Sequence, residues 1–155
     1  MTIREDVKYN LKQAMIKKDV NLISALRLVL ASIKDKDIIA KGKGNYTGIN
    51  DEEIISLIQT MIKQRKSSID LYLEGERHDL AKKEENEIEI ISQFLPKQLT
   101  EAEINNIIDA TIQSCDASSM KDMGKVIKLI KDQHNGKLDF GIVSKIIKNK
   151  LSDKR

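Results

Sequence analysis

The segment Ser118–Lys131, SSMKDMGKVIKLIK, combines a Gly-Lys pair with several lysines near the start of a predicted helix. A Gly-Lys pair can hold a phosphate, but a phosphate-binding loop requires the pattern G-x-x-x-x-G-K-[ST] after a β-strand. Here Val126 follows Lys125, and no strand is predicted before Gly124. The segment is therefore not predicted to be a nucleotide-binding loop, and its lysines need another explanation.

These lysines share one face of the predicted helix when residues are placed at about 100° intervals. The opposite face is apolar and consists of Met120, Met123, Ile127 and Ile130. The next helix repeats the pattern with an apolar stripe of Phe140, Val143, Ile146, Ile147 and Leu151. We define the basic face as the outward lysines of both helices and of the turn between them, Lys121, Lys125, Lys128, Lys137, Lys145 and Lys148.

The charge distribution leaves two explanations for the basic face. Residues 116–155 contain ten Lys/Arg and five Asp/Glu, whereas residues 1–95 contain sixteen of each class. Such a surplus is typical of a solvated helix surface, and it is also what binding to a phosphate backbone requires. No aromatic residue interleaves with the lysines, which favours folded RNA over stacked single strands. Gly124 is predicted to permit close approach of a neighbouring helix or a ligand backbone.

No catalytic residue, metal site or cofactor is predicted from the remaining reactive side chains. Cys115 is the only cysteine, which excludes an internal disulfide and a cysteine-based zinc site. His78 and His134 are interpreted as surface residues near helix ends, and neither G-x-S-x-G nor H-E-x-x-H occurs. A nucleophile pair of Lys63 with Ser67 or Ser68 is conceivable, as is a metal site on the run of Glu84, Glu85, Glu87 and Glu89. Helix packing and a solvated acidic face explain these residues better.

The pattern along the chain predicts an all-α fold in two domains. Helices are expected from just after residue 2 and over about 21–40, 51–74, 78–95, 101–115, 121–134 and 140–151, with Met15 and Ile38 among the inward residues. Pro96 ends the fourth helix, and Thr100 with Glu103 forms a capping box for the next one. We therefore predict an N-terminal antiparallel helical bundle over 1–96 and a small C-terminal three-helix domain over 97–155.

The composition predicts a cytoplasmic protein without a membrane span. No apolar run among the 155 residues approaches the roughly 18 needed to cross a bilayer, and the sequence begins with charged residues rather than an apolar signal core. The sequence leaves the oligomeric state open.

Four segments of the chain resemble the GatB/YqeY family of small bacterial proteins. They are Leu26–Ile38, Met61–Tyr72, Arg77–Ile104 and Ser118–Lys131, and they include the signatures KQRKSSI and FLPKQL. The resemblance covers nearly the whole chain. It implies a helical bundle followed by a tail like the C-terminal domain of the B subunit of glutamine-dependent tRNA amidotransferase, a domain that contacts tRNA. By association it also implies carbon–nitrogen ligase activity with glutamine as amido-N-donor, although the sequence shows no residues for that reaction.

Three functional hypotheses follow. The leading one is a non-catalytic protein that binds tRNA or another structured RNA through the basic face. The second is a protein-interaction module of the translation machinery, or an accessory component of the amidotransferase. The third is an enzyme acting on glutamine or an aminoacyl-tRNA.

Overall fold

A computed structural model describes residues 2–152, and it confirms the predicted all-α class. Seven α-helices occur over these residues, together with one short 3-10 turn, and no strand is present among them. The chain divides into two compact units, Met1–Leu95 and Pro96–Arg155, one residue from the predicted boundary.

The N-terminal unit is a bundle of four helices. They are α1 (Ile3–Lys17), α2 (Val20–Gly42), α3 (Asp51–Glu74) and α4 (His78–Ser92). Side-chain caps start the first three: Thr2, Asp19 and Asn50 each accept a hydrogen bond from a backbone N–H in the first turn. The helix α4 ends three residues earlier than predicted, because the N–H groups of residues 93–95 each donate to the carbonyl three residues back rather than four.

The core of this unit is aliphatic, as the shortage of aromatic residues predicts. Its fully buried large side chains are Val7, Leu26, Val29, Ile33, Ile54, Ile58 and Ile91. Two predictions of inward residues were wrong, since Met15 is 49% exposed and Ile38 is 59% exposed. Both residues lie outside the buried face of their helix. In α2 that face includes Val29, whereas Ile38 lies on the exposed side.

An ion pair fastens the glycine-rich loop between α2 and α3. The Arg4 guanidinium contacts Asp37 at 2.6 and 3.0 Å and also donates to the Ile49 carbonyl at 3.0 Å. The same Asp37 carboxylate accepts from the Ile49 N–H at 2.8 Å. Gly48 has a φ of +90°, and a Cβ there would stand 2.7 Å from an Asp37 oxygen. The loop therefore needs a glycine at this position.

The C-terminal unit contains α5 (Glu101–Ser114), α6 (Met123–His134) and α7 (Phe140–Ser152). Ile108, Val126, Ile130, Val143 and Ile147 are each fully buried in its core. The predicted helix over 121–134 begins two residues later, because Met120–Asp122 forms a separate 3-10 turn. Met120, predicted to be apolar and inward, is 41% exposed on that turn.

Candidate nucleic-acid interface

The lysines of α6 lie opposite its buried stripe. Val126 and Ile130 are fully buried, whereas Lys125 and Lys128 are exposed. Lys121 is also exposed, but it lies on the 3-10 turn and not on α6 itself. The structure thus places two lysines of the predicted row on one helix face and the third on the segment that leads into it.

Lys137 occupies an exposed position on a turn that is held by hydrogen bonds. The Leu99 N–H donates to the Lys137 carbonyl at 2.8 Å, and the Gln98 side chain donates to the Gly136 carbonyl at 2.7 Å. Gly136 adopts a left-handed φ of +80°, as a residue just beyond a helix end commonly does. The residues after Pro96 therefore fix the turn between α6 and α7, which gives the FLPKQL segment a structural role.

The helix α7 presents its remaining lysines away from the core. Lys145 and Lys148 are exposed, and the buried side of the helix carries Val143, Ile147 and Leu151. Lys150, which was not assigned to the basic face, donates to an Asp109 carboxylate oxygen at 2.6 Å on α5. Lys150 therefore forms an ion pair within the unit, unlike Lys145 and Lys148.

The six lysines of the basic face are free of ion pairs within residues 2–152. One nearby carboxylate is already committed to the backbone: Asp122 accepts from the N–H groups of Ser118 and Ser119. These two hydrogen bonds hold the pKa of Asp122 below its usual value, and the Lys125 cation acts in the same direction. The surface therefore offers cations that no carboxylate of the described chain neutralises by direct contact.

Gly124 does not have the close neighbour that was predicted. It is the second residue of α6, and a Cβ built on it meets no heavy atom within 4 Å outside its own helix backbone. Close packing of a neighbouring helix against Gly124 was therefore a wrong prediction. Approach of a ligand backbone at this position stays a prediction.

The alternative reactive groups engage in local contacts. The Ser67 hydroxyl donates to the Lys63 carbonyl at 3.2 Å, so it bonds its own helix backbone rather than an amine. Cys115 is half-buried, and its thiol lies 3.9 Å from the Ile112 carbonyl. Among residues 2–152, no group of three His, Cys, Asp or Glu side chains is arranged to hold a metal ion.

Sequence reasoning missed an ionic cluster between α3 and α4. Arg65 contacts the Glu84 carboxylate at 3.0 Å and also pairs with Glu87. The acidic run was interpreted as a solvated face, but these three side chains are mostly buried. The arginine of the KQRKSSI signature, which lies in an amphipathic helix, was the sequence feature that could have indicated this cluster.

Comparison with known proteins identifies the family. The profile of the YqeY-like protein family matches residues 4–151. The chain belongs to this family. The similarity of the C-terminal unit to the amidotransferase B subunit is a separate matter, and it stays a prediction.

The relatives of this YqeY-like chain include three yeast proteins named "Altered inheritance of mitochondria protein 41, mitochondrial". The protein from Lachancea thermotolerans is 34% identical over 128 residues, which cover 79% of this chain and 66% of the relative. The Saccharomyces cerevisiae (strain YJM789) protein is 34% identical over 99 residues, 64% of this chain and 51% of the relative. The Vanderwaltozyma polyspora protein is 39% identical over 89 residues, 57% of this chain and 46% of the relative.

The chain thus spans between about half and two thirds of the length of these curated relatives. They come from yeasts, so they do not support the bacterial source that the resemblance implied. In the part of the chain that the structure describes, no helix is long and apolar enough to cross a membrane.

Proposed function

We propose that this YqeY-like protein is a non-catalytic helical protein that binds tRNA, or another structured RNA, through the basic face of its C-terminal unit. The observation that carries the proposal is the exposure of all six lysines without an ion-pair partner in residues 2–152. Point charges of this kind suit phosphate groups, whose binding is driven mainly by release of counterions.

Folded RNA fits this surface better than a single strand. Phe140 is the one aromatic residue in the sequence of the C-terminal unit, and it packs against the core. Sequence-tolerant binding of single strands relies on exposed aromatic rings on which bases stack. Lysines on helices and a fixed turn instead suit a ligand recognised by the spacing of its phosphates.

The alternative candidate is a protein-interaction module of the translation machinery or an accessory component of the tRNA amidotransferase, which the resemblance of the tail to the amidotransferase B subunit supports. Carbon–nitrogen ligase activity with glutamine as amido-N-donor rests on that association alone. Release of ammonia from glutamine by the purified protein, lost on substitution of one named side chain, would favour the enzyme hypothesis instead.

The site of action is a further part of the proposal. The sequence predicts the cytoplasm, whereas the names of the yeast relatives describe mitochondrial proteins. Immunofluorescence of the full-length native protein against a mitochondrial marker discriminates between the two compartments.

The test compares two triple variants of the full chain with equal net charge. In the first, Lys125, Lys128 and Lys145 are changed to Gln. In the second, three exposed lysines of the N-terminal unit are changed in the same way, Lys66, Lys82 and Lys83. Filter binding to a folded tRNA should be weakened in the first variant and nearly unchanged in the second. Equal losses in both would show a dependence on net charge alone and would contradict the assignment of the basic face.

Pull-down with and without nuclease separates this proposal from the protein-interaction hypothesis. If RNA joins the protein to its partners, nuclease treatment releases them. Partners that stay bound after nuclease treatment, together with wild-type tRNA affinity in the first triple variant, would favour the interaction module.

A further inference from the structure

The helix α2 carries apolar residues on two opposite faces. One face is buried in the bundle core and consists of Ala25, Leu26, Val29 and Ile33. On the other side, Val20 is 75% exposed, Leu28 44% and Ile38 59%. At about 100° per residue, Val20 and Ile38 share one direction and Val29 points roughly 180° away. Polar residues, among them Arg27, lie beside these side chains, and apolar residues clustered on an exposed surface mark sites of interaction. The exposed face of α2 therefore indicates a partner.

The exposed face borders a groove of about 710 Å³. We define the α1–α2 groove by its eight lining residues, Met15, Lys18, Val20, Ile23, Ser24, Arg27, Leu28 and Ala31. Most of these side chains are apolar, and Lys18 and Arg27 supply two exposed cations. No carboxylate lines the groove, and neither cation forms an ion pair within residues 2–152.

Charge and shape decide between the possible occupants. A second copy of the same groove brings no carboxylate of its own lining against Lys18 and Arg27. An RNA backbone gains nothing from burying Val20 and Leu28. An amphipathic helix with carboxylates beside its apolar stripe can bury the apolar residues of the groove and pair with its two cations, as in helix-in-groove complexes.

We propose that the α1–α2 groove binds an acidic amphipathic helix of a protein partner. The apolar stripe of that helix covers Val20 and Leu28, and its carboxylates pair with Lys18 and Arg27. The α2 lining of the groove runs from Val20 to Ala31, eleven residues and about 17 Å at 1.5 Å per residue. A partner helix of about three turns therefore matches the length of the groove. This inference concerns the N-terminal unit and does not depend on the proposed RNA binding.

A designed pair of peptides tests the chemistry on the full chain. Both are 18-residue fluorescent helices with leucines at i, i+3, i+4 and i+7 spacing, and the other positions carry mainly Glu in one and mainly Lys in the other. Fluorescence anisotropy should show at least tenfold tighter binding of the Glu peptide. Leu28→Asp should weaken that binding at least tenfold, whereas Leu71→Asp, at a 68% exposed position of α3 outside the groove, should leave it unchanged. The double variant Lys18→Glu with Arg27→Glu should reverse the preference toward the Lys peptide.

Several results would overturn the inference. Equal affinity for both peptides, no measurable binding of either, or indifference to Leu28→Asp each contradicts it. So does sedimentation showing a dimer of the chain that Leu28→Asp dissociates, because the occupant is then a second copy. Binding to phosphatidylserine vesicles that Leu28→Asp abolishes, without binding to the Glu peptide, identifies a lipid surface instead.

A photocrosslinking amino acid at Leu28 tests the native occupant, with the same substitution at Leu71 as control. Sequencing of the crosslinked segment by mass spectrometry in cells that express the chain should identify an acidic amphipathic helix of another protein. A crosslink to RNA, to lipid, to a basic or non-helical segment, or no product above the Leu71 control would overturn the inference.

Discussion

Removal of the Arg65 side chain should destabilise the N-terminal unit more than removal of any exposed arginine. Arg65 pairs with Glu84 at 3.0 Å and with Glu87, and the three side chains are only 15%, 19% and 13% exposed. Breaking a buried ion pair by deleting one partner costs about 3–5 kcal/mol, because the other charge stays buried. These groups keep some contact with water, so screening reduces the expected cost of Arg65→Ala to about 2–3 kcal/mol.

The two glutamates provide a specific check of this explanation. If the cost arises from uncompensated carboxylates, then adding Glu84→Gln and Glu87→Gln to Arg65→Ala should recover about 1 kcal/mol or more, by the logic of a mutant cycle. The assay is urea unfolding of the full chain followed by circular dichroism, with the free energy extrapolated to water. Arg77→Ala is the matched control, since its pair with Asp79 is well exposed and should contribute little.

Two outcomes would refute the reasoning. One is an Arg65→Ala variant as stable as Arg77→Ala. The other is a triple variant no more stable than Arg65→Ala, which would show that lost packing of the arginine stem, and not the stranded carboxylates, causes the loss.

Three further predictions concern the loop, the turn and the helix start. Arg4 hydrogen-bonds Asp37 and lowers its pKa, so this pair stabilises the fold above the unfolded-state pKa near 3.9 and loses that effect as pH falls through the lower folded-state pKa. Asp37→Asn should therefore cost about 1–2 kcal/mol of unfolding free energy at pH 7. In urea titrations the difference in stability between variant and wild type should narrow below pH 4, and a difference that does not depend on pH would contradict the assignment. Gln98→Ala deletes the 2.7 Å bond to the Gly136 carbonyl and should cost about 1 kcal/mol and increase amide hydrogen exchange in the α6–α7 turn; unchanged exchange there would show that the turn does not depend on this bond. The methyl group added by Gly124→Ala meets open space, so the variant should be more stable by about 0.4–1 kcal/mol in urea unfolding. A destabilised variant would contradict the open environment. Stabilisation accompanied by weaker tRNA binding would support approach of an RNA backbone at this residue.

The fold class followed from the sequence because helix starts and breaks carry local chemistry. Thr2, Asn50 and Thr100 are cap residues that act within one turn, and each begins a helix where predicted. The start of α6 was misplaced by two residues, because the local signal of Ser119 and Asp122 belongs to the 3-10 turn and no side-chain cap marks Met123.

The wrong inward prediction in α2 came from a loose use of periodicity, and other contacts could not be predicted from the sequence at all. Leu26, Val29 and Ile33 follow the i, i+3, i+7 spacing of one helix face, whereas Ile38 lies about 140° from Ile33, so a strict helical period favours Val29 over Ile38. The pairing of Arg65 with Glu84 depends on how α3 and α4 are placed, since nineteen residues separate the two. For the basic face, the sequence predicted which side of each helix the lysines occupy, but it could not predict that Lys150 pairs with Asp109 while the others have no partner.

The salt dependence of tRNA binding tests the central claim most directly. If all six lysines contact phosphates, the slope of log K against log salt should be about −5, and affinity should fall roughly 10³-fold between 50 and 200 mM salt. Neutralising Lys125, Lys128 and Lys145 should reduce the magnitude of the slope by about 2–3 and the fall to roughly 40-fold. An unchanged slope in this variant, or the same reduction in the control variant at Lys66, Lys82 and Lys83, would contradict binding through the basic face.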